Sequence, residues 1–148
     1  MIEEAVEYRF EDIVIGMKKR FPITVNETMV EEFAKISGDY NPLHVNEEYA
    51  RSTKFGKRIC HGMLMASFFS KLIGMHLPGK NSLYFSQSLN FLAPCHTDDE
   101  ITIEGEVIDK SPSTRMITLK TSIYNQSGIC LIEGIAKVIV RENTLNNQ

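Results

Sequence analysis

The strongest constraint on this chain is one segment that is apolar on nearly every side, followed at once by a change in hydrophobic period. Residues 61–76 contain a single lysine, and they end at Leu77-Pro78-Gly79, a typical helix stop signal. From Asn81 onward, apolar and polar residues alternate with a period of two, as in β-strands. A helix with so few polar positions must be buried on most faces, so we expect the strands to cover it.

The strand pattern recurs three times before the chain ends. We expect the apolar positions of each run to face a common core; they are Leu83, Phe85, Leu89 and Phe91, then Ile101, Ile103 and Val107, then Ile117, Leu119, Thr121 and Ile123. Residues 110–113 and 125–128 have turn composition. Residues 129–140 become apolar on both faces, which predicts a central strand.

The first half of the chain predicts helices and loops after a short β-like start. Residues 8–25 favour short strands, and Pro22 predicts an edge strand or a bend because it cannot donate to a ladder. Asn26 is a typical N-cap for a helix that Gly38 ends, and Asn46 can cap a second, short helix.

These elements predict an α+β fold in which one curled antiparallel sheet wraps around the apolar helix. The 148 residues fit a single domain, 1–148, with a sizeable core. One curled sheet leaves an edge strand and part of the helix uncovered. We therefore predict a homodimer.

Charge and composition exclude several classes of function. A net charge of -3 without a basic stripe gives no basis for nucleic-acid binding, and no apolar run is long enough to cross a membrane. The acidic start, Met1-Ile2-Glu3-Glu4, lacks the features of a secretory signal. Three cysteines are too few and too odd in number for a disulfide framework, so we predict a cytoplasmic protein.

Two Cys-His pairs, Cys60-His61 and Cys95-His96, raise the question of a metal site. Neighbouring residues on a strand point to opposite faces, so each pair could offer one ligand at most. We favour buried thiols and predict no metal. The chain also lacks a glycine-rich phosphate loop, a His-Glu-x-x-His motif and a Gly-x-Ser-x-Gly motif, and we predict no cofactor.

The densest polar cluster lies in the loop 38–44, where Asp39, Asn41 and His44 fall within six residues. A carboxylate and an imidazole that share one water can remove a proton from it and return a proton elsewhere. The alternative is structural: Asp39 and Asn41 form an Asx-turn, and His44 bonds a backbone carbonyl. The residues alone leave both interpretations open.

His61 and Gly62 begin the apolar helix. The first N–H groups of a helix have no partner within it and carry the positive end of its dipole, so they can hold a developing oxyanion. Gly62 lets a ligand approach the backbone closely, whereas we expect His61 to be a supporting group. A Cys60 nucleophile beside His61 ranks below the Asp39 and His44 pair.

The segment Phe33-Ala34-Lys35-Ile36-Ser37-Gly38-Asp39-Tyr40-Asn41-Pro42-Leu43-His44, with Ala50 six residues on, resembles the signature of the MaoC-like dehydratases. More narrowly, it resembles the (R)-specific enoyl-CoA hydratases, or hydratase 2, of the polyhydroxyalkanoate-linked type. The likeness continues through residues 61–64, 77–80 and 84–94 and covers about residues 21–140. A long, gap-free motif of this kind is much more specific than a short pattern.

The resemblance implies a hot-dog fold and a dimer with its active sites near the interface. It implies that Asp39 and His44 are the catalytic pair and that the amide of Gly62 binds the thioester oxygen. By position, Ser70 and Ile73 match family residues that line the acyl pocket. The implied substrate is an acyl-CoA thioester.

The implied reaction is the reversible (R)-specific hydration of trans-2-enoyl-CoA to (R)-3-hydroxyacyl-CoA, with Asn41 in a supporting role. One alternative is a 3-hydroxyacyl dehydratase acting on acyl carrier protein, since Lys54, Lys57 and Arg58 could attract an acidic carrier as well as CoA phosphates. A second is a non-catalytic acyl-thioester binding subunit. A thioesterase on this fold would need a carboxylate on the helix, where none is evident.

Overall fold

The computed structural model describes residues 2–142, which form one antiparallel sheet and a set of helices around a single core. The strands are β1 (Lys18–Thr24), β2 (Ser82–Gln87), β3 (Asn90–Phe91), β4 (Glu100–Ser111), β5 (Met116–Tyr124) and β6 (Cys130–Val140). Their order in the sheet is β1-β4-β5-β6-β2, and β3 also pairs with β6. The α+β prediction is confirmed.

Four α-helices accompany the sheet. They are α1 (Glu27–Ser37), α2 (Pro42–Val45), α3 (Glu47–Arg51) and α4 (Gly62–Lys71), and α4 continues into a wider π-helical turn, Leu72–His76. The predicted apolar helix is therefore present over its full length.

Helix α4 packs against the inner face of the long central strands. The inward residues of β4 and β5 alternate as predicted, and β6 also alternates although its sequence suggested two apolar faces. The fully buried inward residues include Ile101, Ile103, Ile117, Leu119, Ile123, Ile132 and Val138. Gly105 on β4 allows the close approach, because a Cβ there would lie 2.7 Å from Cδ2 of Leu72. Since β6 lies between β5 and β2, the predicted central strand is also confirmed.

The predicted helix boundaries rest on side-chain caps that the structure contains. Asn26 Oδ1 accepts from the amide of Met29 at 2.9 Å, and Gly38 ends α1 in the left-handed conformation at φ 80°. Asn46 caps α3 through the amide of Tyr49 at 2.9 Å. Each signal acts on its own helix, which explains why it is readable from the local sequence.

The start of the chain was predicted only in part. Pro22 does lie in an edge strand, since β1 pairs with β4 alone. The expected strands before it are wrong: Phe10–Asp12 is a 3-10 turn, held by a reciprocal bond between Arg9 and Asp12. The polar turn residues outweigh the apolar neighbours that suggested a strand.

Along one side of the molecule, residues that were predicted to be buried are exposed. Leu83 and Phe85 on β2 and Phe91 on β3 are more than half exposed. Among residues 2–142, β2 ends the strand order and β3 pairs with β6, so this side of the sheet is an edge. The adjacent face of α4 is exposed as well, including Met63 and Ser70. We call the exposed apolar side chains here the β2 patch: Met63, Leu83, Phe85, Phe91 and Leu92.

The loop 38–44 is more ordered than expected. Asn41 is extended at φ -52° and ψ 130°, as a residue before proline should be, but Pro42 then begins the short helix α2. His44 therefore sits on a helical turn. Among residues 2–142, no helix has the length and apolar character needed to span a bilayer.

Candidate active site

The structure brings Asp39 and His44 together. Nε2 of His44 lies 4.0 Å from Oδ2 of Asp39, with His44 largely covered and the carboxylate half exposed. Asp39 follows the cap of α1, and its other oxygen, Oδ1, accepts from the amide of Asn41 at 3.1 Å. Asn41 Oδ1 in turn accepts from the amide of Leu43 at 3.0 Å and caps the helix that carries His44.

A backbone carbonyl fixes which nitrogen of His44 carries the proton. Nδ1 lies 2.8 Å from the carbonyl oxygen of Ile59, and a carbonyl only accepts, so Nδ1 is the donor. In the neutral ring, Nε2 then presents its lone pair toward Asp39. The structural alternative is present in both parts, the Asx-turn and the bond from His44 to a backbone carbonyl. These bonds use Oδ1 of Asp39 and Nδ1 of His44, so Oδ2 and Nε2 remain near each other.

His61 packs beneath this pair. Its Nε2 donates to the carbonyl oxygen of Asp39 at 2.9 Å, and its ring stacks on that of His44 with centroids 4.0 Å apart and planes 26° apart. The edge of Phe33 packs on the His61 ring at 4.9 Å. Burial lowers the pKa of His61, the bond to Asp39 opposes this shift, and a charge on His44 would lower the pKa further. His61 is therefore a neutral ring.

Gly62 and His44 line the same cavity. The cavity measures about 500 Å³, and most of its wall is apolar, with Phe55, Met63, Phe91, Leu92 and Pro94 among its residues. Gly62 begins α4, where the first amides have no carbonyl partner within the helix. A Cβ at position 62 would lie 2.7 Å from Cδ1 of Phe91, so a larger residue there would require the Phe91 ring to move.

The two predicted acyl-pocket residues lie farther along α4. Ser70 is exposed and lines a second, almost entirely apolar groove of about 450 Å³ together with Phe33, Ser67 and Leu89. Met63 lines both the groove and the cavity. Ile73 is 1% exposed and belongs to the core instead. The acyl-binding role of both residues stays a prediction.

Asp39, His44 and His61 also form a candidate metal cluster, with ligand atoms within 4.8 Å of one another. The donor types suit a borderline ion such as Zn²⁺. The lone pair of an imidazole nitrogen lies in the plane of its ring, however. In two stacked rings these lone pairs run nearly parallel and do not converge on one ion. The arrangement of His44 and His61 therefore fits such an ion poorly.

Cys60, the other candidate nucleophile from the sequence, lines the same cavity but is buried against Cys95. Cys60 and Cys95 lie opposite each other, and a hydrogen bond with Cys60, together with burial, raises the pKa of the Cys95 thiol. A buried thiol of this kind is a poor nucleophile. His61 directs its Nε2 at Asp39 and not at its neighbour Cys60.

The basic patch predicted around residues 54–58 is smaller than the sequence suggests. Arg58 is buried, and its guanidinium lies 2.9 Å from Glu27 and 3.4 Å from Glu47. Its charge is therefore neutralised inside the protein. Lys54 and Lys57 remain exposed beside Phe55 at the cavity wall.

Three contributors to the site were not found from the sequence: the carbonyl of Ile59, the ring of Phe91 and the bond from His61 to Asp39. Backbone carbonyls leave no trace in a sequence pattern. The adjacency of His61 to Gly62 was the one available signal, and it suggested only a supporting group.

A sheet curled around a helix, with a carboxylate and an imidazole facing each other beside the helix start, defines a hot-dog protein of the dehydratase class. The family model described as MaoC like domain matches residues 11–127. The chain belongs to this family, which confirms the resemblance.

Characterised relatives cover most of the chain. The (R)-specific enoyl-CoA hydratase of Aeromonas caviae is 41% identical over 128 residues, or 86% of this chain and 96% of that protein. The (R)-specific enoyl-CoA hydratase of Rhodospirillum rubrum is 39% identical over 138 residues, or 93% and 95%. A solved structure, the (R)-hydratase from A. caviae involved in PHA biosynthesis, aligns with a TM-score of 0.86 at 40% identity and covers 88% of this chain and 98% of its own.

Proposed function

We propose that this protein is an (R)-specific enoyl-CoA hydratase, a hydro-lyase that adds water reversibly to trans-2-enoyl-CoA and gives (R)-3-hydroxyacyl-CoA. The observation that carries the proposal is the placement of His44, whose Nε2 lies 4.0 Å from the Asp39 carboxylate and which lines the same cavity as Gly62. The two relatives from A. caviae and R. rubrum, both (R)-specific enoyl-CoA hydratases, support the same reaction.

The geometry accounts for activation of water. A separation of 4.0 Å is too long for a direct hydrogen bond, but one water can donate one proton to His44 Nε2 and the other to Asp39 Oδ2. Its oxygen lone pair is then free to attack C3 of the enoyl group. As the O–C3 bond forms, Asp39 and His44 together accept one proton of the water. A proton then returns from them to C2 on the same face of the substrate.

Gly62 supplies the complementary electrostatics. When water attacks C3, the π electrons move through C2 and the thioester carbon to the thioester oxygen, which gains negative charge. The amide of Gly62 at the positive end of α4 is the group we assign to this charge. Losing one such donor typically costs about 3 kcal/mol of barrier height.

The acyl chain has an apolar route away from this centre. We assign it to the groove beside Ser70, because Met63 joins the groove to the catalytic cavity and the groove wall is almost entirely apolar. Ile73 is assigned an indirect role beneath the groove, since it packs in the core one turn further along the helix.

We further propose that the protein is a homodimer whose interface covers the β2 patch. An exposed apolar edge strand next to an exposed helix face is a surface that a second copy would bury. Phe85→Lys should convert the dimer to a monomer in light scattering. Ile36→Lys, at an even more exposed apolar position on α1, should leave the dimer intact. A wild-type monomer would refute this assignment.

CoA is the thioester carrier that the charges favour. Arg58 is neutralised by Glu27 and Glu47, so Lys54 and Lys57 are the exposed lysines on the segment that carries Phe55 of the cavity wall. Two lysines suit a few phosphates better than an acidic protein surface. We also propose a cytoplasmic location, since Cys60 and Cys95 are in contact and carry free thiols.

Hydration of crotonyl-CoA, with the chirality of the product determined, tests the proposal. We expect turnover to the (R)-3-hydroxy product, and rates on the matching acyl carrier protein thioester should be lower. A faster rate on the carrier protein form would support the dehydratase alternative. Binding of crotonyl-CoA without loss of enoyl absorbance would support a non-catalytic binding subunit.

A further inference from the structure

His61 is a buried titratable side chain at the site that the proposed reaction does not use. It is 2% exposed, and its Nδ1 has no hydrogen-bond partner among the described residues. Burying a polar nitrogen without a partner costs free energy, so some other property of the ring must compensate. A hydrophobic residue of similar shape would fill the same space without this cost.

The contacts of His61 indicate what that property is. Its side chain donates to the carbonyl of Asp39, its ring covers one face of His44, and its backbone precedes the amide of Gly62. The carbonyl of His61 also accepts the first bonds of α4, from Leu64 at 3.1 Å and Met65 at 3.3 Å. One residue therefore contacts the carboxylate loop, the imidazole and the helix start.

No other side-chain bond among the described residues joins the Asp39 loop to the start of α4. The remaining bonds of Asp39 are local, to Ser37 and Asn41. His61 reaches across 22 positions of sequence to the Asp39 carbonyl. Without this bond, the half-exposed Asp39 would be held only by its own loop.

We propose that His61 is a positioning residue that sets the distance between the Asp39 carboxylate, the His44 imidazole and the Gly62 amide through its bond to Asp39 and its stack on His44. The proposal rests on the proposed hydratase function. His61 does not itself exchange a proton with substrate, because its one N–H is committed to a carbonyl and its other nitrogen is buried. Its contribution is geometric, since catalysis by a water held between two groups depends steeply on their spacing.

Two substitutions separate the bond from the stack. His61→Phe keeps an aromatic ring against His44 but removes the donor, and we expect kcat to fall by about 10²-fold with little change in KM. His61→Gln retains an N–H donor and should recover part of the loss. His76→Phe, the same change in a histidine at the other end of the helix, is the matched control and should keep wild-type kcat.

A double-mutant cycle distinguishes positioning from general support of the fold. If His61 acts through the catalytic pair, His61→Phe should cost much less in an Asp39→Asn background than in the wild type. Equal fold losses in both backgrounds would overturn the proposal, as would a His61→Phe variant with near-normal kcat. If the wild type itself fails to hydrate crotonyl-CoA, the proposed function fails and these kinetics do not apply.

The wild-type protein offers a test that needs neither a stable variant nor activity. In ¹⁵N NMR of the histidine rings, His61 should show the neutral form with the proton on Nε2, and this form should persist below the pH at which an exposed histidine titrates. The titratable groups that face it are His44 and Asp39. A proton on Nδ1, or a charged ring at neutral pH, would overturn the proposal.

Discussion

The two ends of the central helix carry similar residues in different settings. At the start, His61 stacks on His44 with centroids 4.0 Å apart; at the end, His76 stacks on Phe21 at 4.9 Å. The end is covered by the beginning of the chain, where the amide of Val6 donates to Met75 at 3.0 Å and Glu3 lies 3.5 Å from Nε2 of His76. The start faces a cavity instead.

The comparison teaches that a histidine stacked on an aromatic ring is not in itself a sign of catalysis. The start of the helix differs because Nε2 of His44 lies 4.0 Å from a carboxylate and Gly62 lines the same cavity as His44. At the other end, the aromatic partner has no proton to exchange. Substitutions matched between the two ends should therefore have unequal effects on activity.

The largest effect should come from the catalytic pair. Asp39→Asn and His44→Ala should each lower the rate of crotonyl-CoA hydration by about 10²–10⁴-fold, because each removes one of the two groups that hold and deprotonate water. Both variants should remain folded by circular dichroism, since neither side chain is in the core. At the other end, His76→Phe should leave the rate unchanged. Near-normal turnover by either pair variant would remove the pair from the mechanism.

The next effect concerns the glycines of the helix. In Gly62→Ala, the new Cβ would fall 2.7 Å from the half-exposed Phe91 ring, which must move within the cavity that His44 lines. We expect a rate loss of about 10²-fold from this misplacement. Gly74→Ala has open space around the new Cβ and should change the rate little. Equal losses at both positions would show that the helix start has no special role.

The sequence predictions succeeded where the interactions are local and failed where residues distant in sequence interact. Asn26, Gly38 and the alternation along β5 act on their own element, so the pattern was sufficient. Leu83 and Phe85 look identical to core residues in a period-two pattern, and only their place on an edge strand exposes them.

Asp39 and His44, which we propose as the catalytic pair, stood out in the sequence because they lie close together in a specific motif. The residues that hold these two side chains in place were not predicted. Ile59 is 15 positions from His44, and His61 is 22 positions from Asp39, so no local pattern links them. The neutralisation of Arg58 by Glu27 and Glu47 was missed for the same reason, because these residues are distant from Arg58 in sequence.

A smaller effect should distinguish the two predicted acyl-pocket residues. Ser70→Leu adds bulk to an exposed groove position, so kcat/KM for trans-2-octenoyl-CoA should fall about 10-fold relative to crotonyl-CoA. Ile73→Val removes one methyl group from the core and should shift the preference less, at a stability cost of about 1 kcal/mol. Competition assays with both substrates measure the preference. An unchanged profile would exclude either residue from the acyl site.

The smallest expected effect is the dependence of stability on pH at the start of the helix. In the unfolded chain His61 takes up a proton near its usual pKa of about 6.5, whereas burial lowers the pKa in the folded protein. Between these two values the unfolded state binds more protons, so the free energy of unfolding should fall as the pH drops below about 6.5.

Urea unfolding at several pH values measures this dependence, and the His61→Phe variant isolates it. The variant should lose less stability on acidification than the wild type, whatever its stability at neutral pH, because phenylalanine has no proton to bind. His76→Phe, which retains His61, should lose as much stability on acidification as the wild type does through His61. Identical slopes for His61→Phe and the wild type would mean that His61 titrates alike in both states. The buried neutral ring, and with it the contrast between the two ends of the helix, would then be wrong.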